Sequence, residues 1–113
     1  MADTFRDREK GYEAKFKMDE EYRFKAEVRR NKLIGLWAAE RLGLAGAEKE
    51  AYAKQVVAAD FDEPGPDDVV RKLVADFQQR SVTVSETEIR AEMARLYGTA
   101  LEDIAKEYPN ALG

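Results

Sequence analysis

The sequence predicts an all-α fold, a four-helix bundle with a long N-terminal helix whose first half has the composition of an extended or disordered segment. Three observations predict it. Apolar residues recur at three and four positions through the C-terminal part. Gly and Pro punctuate the chain at Gly46, Pro64-Gly65 and Pro109, leaving segments of helical length between them. Charged residues make up 37% of the 113-residue chain, against about 25% in ordinary globular proteins, which suits long solvated helical faces. A chain this long with 44% hydrophobic residues forms one compact domain by default.

The first helix runs from Asp3 to about Leu42, interrupted only by Gly11 and Gly35. Its two halves differ. From Leu33 to Leu44 it is apolar nearly all round, as a helix buried between others should be. Near its start, 11 of the first 20 residues are charged, and the apolar ones reduce to Phe5, Tyr12, Phe16 and Met18. Phe5, Tyr12 and Phe16 lie seven and four apart, a thin stripe on one face that is too narrow to hold the segment on a bundle. A boundary near residue 19 therefore separates an N-terminal segment, 1–19, from a bundle domain, 20–113.

A second, short amphipathic helix runs from Ala47 to Phe61, with Ala51, Tyr52, Val56, Ala59 and Phe61 on its seam. The third opens at Gly65-Pro66-Asp67-Asp68, with Pro near the first helical position and two carboxylates at the positive end of the helix dipole. Its seam is Val69, Val70, Leu73, Val74 and Phe77. The fourth begins at Ser85-Glu86-Thr87-Glu88, which has the spacing of a capping box flanked by Val84 and Ile89 as a hydrophobic staple. It continues through Met93, Leu96, Tyr97, Ala100, Leu101 and Ile104 to about Tyr108, where Pro109 stops it. Gly98 inside it is read as a tolerated weakness rather than a close helix approach. Short connections favour antiparallel neighbours, so helices two to four should pack on the apolar half of helix one.

The chain has no cysteine and no histidine, which excludes thiol nucleophiles, disulfides, the usual zinc sites and the commonest general base. No metal site, no cofactor and no enzymatic activity is expected. Exposed carboxylates such as Asp19-Glu20-Glu21 have no apolar pocket to raise a pKa. The acidic residues Asp60, Asp62, Glu63, Asp67 and Asp68 around Pro64-Gly65-Pro66 lack the alternation and central Gly of a calcium loop and read as helix capping. Net charge is −4, with +2 over residues 1–45 and −6 over the remainder, and there is no long basic block. Nucleic acid is therefore disfavoured as a partner, since such affinity comes from clustered Lys and Arg. A charged N-terminus and the lack of a run near ~20 apolar residues give no membrane insertion and a cytoplasmic location by default.

Two features could bind a partner. The N-terminal aromatic stripe suits a segment with too few apolar residues to order alone and enough to anchor in a groove. Arg29-Arg30-Asn31-Lys32 is the one dense basic cluster. It could hold a phosphate or an acidic surface, but more often such a cluster is a solvated face paired with acids, here Glu27 or the acidic second half of the chain. Trp37 is expected in the core rather than as a ligand platform.

The stretches Phe5-x-x-Arg8-Glu9-Lys10-x-Tyr12-Glu13-x-Lys15-Phe16 and Phe24-Lys25-x-x-x-Arg29-Arg30-Asn31-Lys32-Leu33-Ile34-Gly35-Leu36-Trp37-Ala38-Ala39 carry a family resemblance. Ala51-Tyr52-Ala53 and Val56-Val57-x-Ala59-Asp60-Phe61 extend it. Together they resemble the ζ subunit, the ATPase inhibitor, of the alphaproteobacterial F-type ATP synthase, across essentially the whole chain. Val28 stands where that pattern has Ala, a small change at a packed position. The resemblance implies a four-helix protein at the cytoplasmic side of the membrane-bound synthase. Its N-terminal segment would enter the F1 head between α and β subunits near the γ stalk and block ATP hydrolysis. It places partner contacts on Phe5, Tyr12 and Phe16 as apolar anchors and on Arg6, Arg8, Glu9, Lys10 and Glu13 as charged contacts. The competing reading is a nucleotide-sensing bundle that binds ADP or ATP weakly through Arg29, Arg30 or Lys32 and regulates a partner.

Overall fold

The computed structural model describes residues 2–60 and 65–107, with side chains from residue 20 onward. Four helices form: α1 Ala2–Arg41, α2 Gly46–Ala59, α3 Asp67–Gln79 and α4 Glu86–Glu107. No strand occurs among the described residues. The helix starting before Pro64 ends at Ala59, with Asp60 at its cap, and Phe61 lies outside the described residues. So do Tyr108 and Pro109, where the fourth helix is expected to stop.

Two helix ends close by the same device. After α1, the Leu44 N–H donates to the Ala39 carbonyl at 2.9 Å and the Gly43 N–H to that of Glu40 at 3.1 Å. After α3, Val82 donates to Phe77 at 2.8 Å and Ser81 to Gln78 at 3.1 Å. Both are Schellman closures, which need one residue in the left-handed region. Gly43 supplies it at φ 80°, and Ser81 does so at φ 57°. Leu44 and Val82, just beyond each turn, pack on the core.

At the start of α4, Ser85 Oγ accepts a hydrogen bond from the Glu88 N–H at 3.0 Å, so the capping half of the expected box is present. The Glu88 carboxylate turns to Arg41 on α1, at 3.4 Å, and ties the two helices together. Ile89 is fully buried, and Val84 packs beside it against the core. At α3, Pro66 sits at the N-cap itself, and Asp67 and Asp68 fill the first turn.

The core is one cluster to which every helix contributes: Ile34, Ala38, Ala39 and Leu42 from α1, Tyr52 and Val56 from α2, Val69, Val70, Leu73 and Phe77 from α3, and Ile89, Met93 and Leu96 from α4. Burying each large aliphatic or aromatic side chain contributes about 1.5–3 kcal/mol. Trp37 lies at the edge of this core, its ring meeting Phe77 edge-on at 6.1 Å, with the Arg41 guanidinium 4.6 Å from its centre on the outer side.

α1 is the spine, with α2 and α4 packed against it and α3 bridging α2 and α4. Lys49 pairs with Glu40 at 2.6 Å, while Ala53 and Val56 meet Gly35, so α2 runs antiparallel to α1. A Cβ on Gly35 would lie 2.8 Å from the Ala53 backbone, so glycine sets the distance between these helices. Gly98 has nothing within 4 Å of a Cβ position, as a tolerated glycine should. Lys49 also holds the Glu40 carboxyl below its ordinary pKa by hydrogen bond and charge. α4 is antiparallel to α1 as well: Arg41 meets Glu88, Arg30 meets Tyr97 and Tyr22 meets Leu101.

The expected docking surface, the apolar half of α1, is too short. α4 reaches two turns further, where Ala26, Ala100 and Ile104 form a second small core with Tyr22, Tyr97 and Leu101 around it. Alanine at position 26 lets α4 approach a stretch of α1 that is otherwise polar, which hydropathy alone does not reveal.

Candidate functional site

The first side chain of α1 that touches the bundle, among the described residues, is Tyr22, whose hydroxyl donates to the Leu101 carbonyl at the far end of α4. The helical backbone of α1 begins twenty residues earlier, at Ala2. At 1.5 Å per residue the stretch before Tyr22 spans about 30 Å and the whole 40-residue helix about 60 Å. The molecule's longest axis is 66 Å against 25 and 21 Å for the others, so α1 accounts for most of its length. Phe5, Arg6, Arg8, Glu9, Lys10, Tyr12, Glu13 and Phe16 fall on this N-terminal stretch, and their side chains lie outside the described residues.

The basic cluster divides between two surfaces, as successive residues on a helix must. Arg29 forms an ion pair with Glu107 in the last turn of α4, in the acidic second half of the chain. Arg30 corrects the expectation of a solvated face. It is only 9% exposed, its Nε and one terminal nitrogen both donate to Asn31 Oδ1 at 3.1 Å, and its guanidinium lies 5.7 Å from the centre of the Tyr97 ring. Asn31 is fully buried. Arg30 is therefore part of the α1–α4 packing, where its carbon stem and planar head cover apolar surface. Lys32 is exposed and turned to the same side as Arg29.

Arg29 and Lys32 thus line one groove, of about 350 Å³, together with Phe24, Lys25, Val28, Ile104 and Glu107. Arg30 lines a different one, of about 210 Å³, between α1, α4 and the start of α3. Sequence reading missed Phe24, which is 59% exposed. Its signal was available: an aromatic residue in a charged stretch, off the seam that Ala26, Arg30 and Ile34 trace.

A third cleft, of about 400 Å³, lies where α2 and α3 meet the end of α1. On its wall the Tyr52 hydroxyl donates to Asp76 at 2.7 Å, Lys72 donates to the same carboxylate at 3.0 Å, and the Lys72 ammonium lies 5.3 Å from the centre of the Tyr52 ring. Burial, reinforced by the bond to Asp76, raises the Tyr52 pKa far above that of an ordinary tyrosine. A phenol held neutral in this way ties α2 to α3 and is no nucleophile.

Among the described residues no group of acidic side chains is placed to hold a metal ion, and no helix is long and apolar enough to cross a membrane. No curated protein matches the chain. A protein solved in solution by NMR is 48% identical, with a TM-score of 0.66 over 74% of this chain and 95% of its own. The family described as ATPase inhibitor subunit zeta matches residues 1–103, from the charged N-terminal stretch of α1 through the α1–α4 packing at Tyr97 and Leu101. On that match the chain belongs to the ATPase inhibitor subunit zeta family.

Proposed function

We propose that the chain inhibits ATP hydrolysis by an F1-ATPase, with residues 1–19 as the inhibitory segment and the bundle as its carrier. Family membership supports inhibition as the activity. The observation that carries the assignment to a segment is the length of α1, which begins twenty residues before its first described contact with the bundle. That is ~30 Å of helix, enough to enter a cleft between subunits while the bundle stays outside. Phe5, Tyr12 and Phe16 are the apolar anchors, and Arg6, Arg8, Glu9, Lys10 and Glu13 the charged contacts, in an interface between α and β subunits beside γ. The site of action is the cytoplasmic face of the membrane-bound synthase.

Inhibition of this kind needs no chemistry by the inhibitor. A segment that fits one conformational state of a rotary motor stabilises that state by its differential affinity. Hydrolysis stops because the next state is inaccessible. The sparse stripe suits the task, since a segment with a broad apolar face would stay on its own bundle.

Cognate F1 is assayed for ATP hydrolysis with the full chain and with a chain starting at Asp19. The full chain is expected to inhibit and the shortened one to have no effect. Equal inhibition by both would falsify the assignment to residues 1–19.

A further inference from the structure

We propose that the cleft between the start of α2 and the end of α3 binds a small zwitterion with an apolar body, of the class of apolar α-amino acids and their short peptides. The proposal concerns the bundle alone and does not rest on the inhibitory role.

The cleft holds about 400 Å³, within the range of small-molecule sites, and its floor is apolar, with Leu42, Leu44 and Ala51 beside the Tyr52 ring. The stretches outside the described residues are too far away to fill it. Residues 61–64 join the opposite ends of α2 and α3, between Asp60 and Gly65. Residues 108–113 follow Glu107, past the contact of Leu101 with Tyr22. Six residues reach at most about 20 Å, whereas about 30 Å of helix separates Tyr22 from Leu42. Residues 2–19 run further still along α1.

The inner charges of the cleft are settled, since Lys72 and the Tyr52 hydroxyl both donate to Asp76, at 3.0 and 2.7 Å. Two charges on the rim are not. Glu48 lies one turn before Tyr52 on α2, and Arg80 one turn after Asp76 at the end of α3. The bonded pair Tyr52 and Asp76 thus brings them to the same end of the cleft, on opposite walls. Neither side chain has a hydrogen bond or ion pair among the described residues, and they do not pair with each other. Packed helices stand about 8–10 Å apart. That gap admits one carbon bearing both an ammonium, donating to Glu48, and a carboxylate, accepting from Arg80, with its side chain on the apolar floor. Gln55 and Gln79 supply neutral amides on the two walls for a peptide group. Lys72 and Arg80 balance Glu48 and Asp76, so the cleft draws in neither a bare anion such as phosphate nor a bare cation.

Amide spectra of the isotope-labelled full chain are recorded with L-leucine and with the dipeptide leucyl-alanine. Three controls accompany them: N-acetyl-leucine, which has no ammonium, leucinamide, which has no carboxylate, and glycine, which has no apolar body. At least one of the two zwitterions is expected to shift the amides around Glu48, Tyr52, Gln79 and Arg80. It should saturate with a Kd of about 1 mM, the strength of two exposed charge contacts and one buried side chain. The controls are expected to bind at least about fivefold more weakly. E48Q and R80Q alter exposed side chains, and each is expected to raise the Kd about fivefold at an unchanged thermal midpoint. Saturation by leucine alone assigns the site to free amino acids and saturation by leucyl-alanine alone to peptides, and either upholds the proposal. Shifts that never saturate, or that N-acetyl-leucine and leucinamide reproduce at the same concentration, overturn it. So does an unchanged Kd in either variant.

Discussion

The two halves of α1 are one continuous helix built on opposite principles. From Tyr22 to Leu42 nearly every turn meets a neighbour: Tyr22 and Ala26 meet α4, Arg30 lies over Tyr97, Ile34 is enclosed, Gly35 touches α2, and Ala38, Ala39 and Leu42 close the core. Over its first 20 residues the sequence offers one thin aromatic stripe among eleven charges. Isolated helices of that length are marginal in water without packing. The packed half therefore draws its stability from its neighbours, whereas the sequence before residue 20 has little apolar surface with which to pack.

The contrast is sharpest at Ile34, which is fully buried among residues of all four helices. Ile34→Ala should cost about 3–4 kcal/mol, read as a lower midpoint in urea denaturation. A cost near zero would mean that the spine is not clamped at its centre. Next comes a matched pair of glycines. Gly35→Ala forces a methyl against the Ala53 backbone, so despite the gain in helix propensity it should destabilise by about 1–3 kcal/mol.

Tyr52→Phe breaks the α2–α3 tie and should cost about 1 kcal/mol at neutral pH. It carries a pH signature. Because folding raises the Tyr52 pKa, its contribution is intact below the unfolded tyrosine value of about 10 and is lost as pH rises past it. The substitution should therefore flatten the fall in stability above pH 10, visible in denaturation curves at successive pH values. Gly98→Ala, the other member of the glycine pair, should stabilise by a little under about 1 kcal/mol, since its Cβ meets nothing. Opposite signs at Gly35 and Gly98 in thermal melts would confirm that packing, not propensity, separates them.

The smallest effect belongs to the charged half. Removing residues 1–18 should leave the bundle's unfolding free energy within about 0.5 kcal/mol of the full chain. A larger loss would show that the two halves of α1 support each other, and the division of labour would fail.

Much of the fold was legible because it rests on local signals. Ser85 and Glu88 carry a capping spacing, and the Ser85 hydroxyl caps α4. Val69, Val70, Leu73 and Phe77 keep helical period, and all four are buried. Arg30 was misread for the opposite reason. A basic residue within Arg29-Arg30-Asn31-Lys32 looks solvated, and only its neighbours Asn31 and Tyr97 make its burial affordable. Gly35 was passed over as a mild interruption of α1, since the backbone it touches lies eighteen residues on and on another helix. The cleft beside Tyr52 was illegible too, because it depends on which residues of α3 come to face α2.

What the sequence by itself determined is the set of helices and the asymmetry of the first one. Periodicity, caps and charge density act over a few residues, and each is written in consecutive positions. Only the tertiary structure decided which parts of a continuous helix are held and which surfaces stay open. Those depend on how far α2 and α4 extend along α1, and hence on contacts between residues as distant as Tyr22 and Leu101. Helical period fixes the direction in which each side chain leaves its own helix, but not which other helix, if any, lies there to meet it.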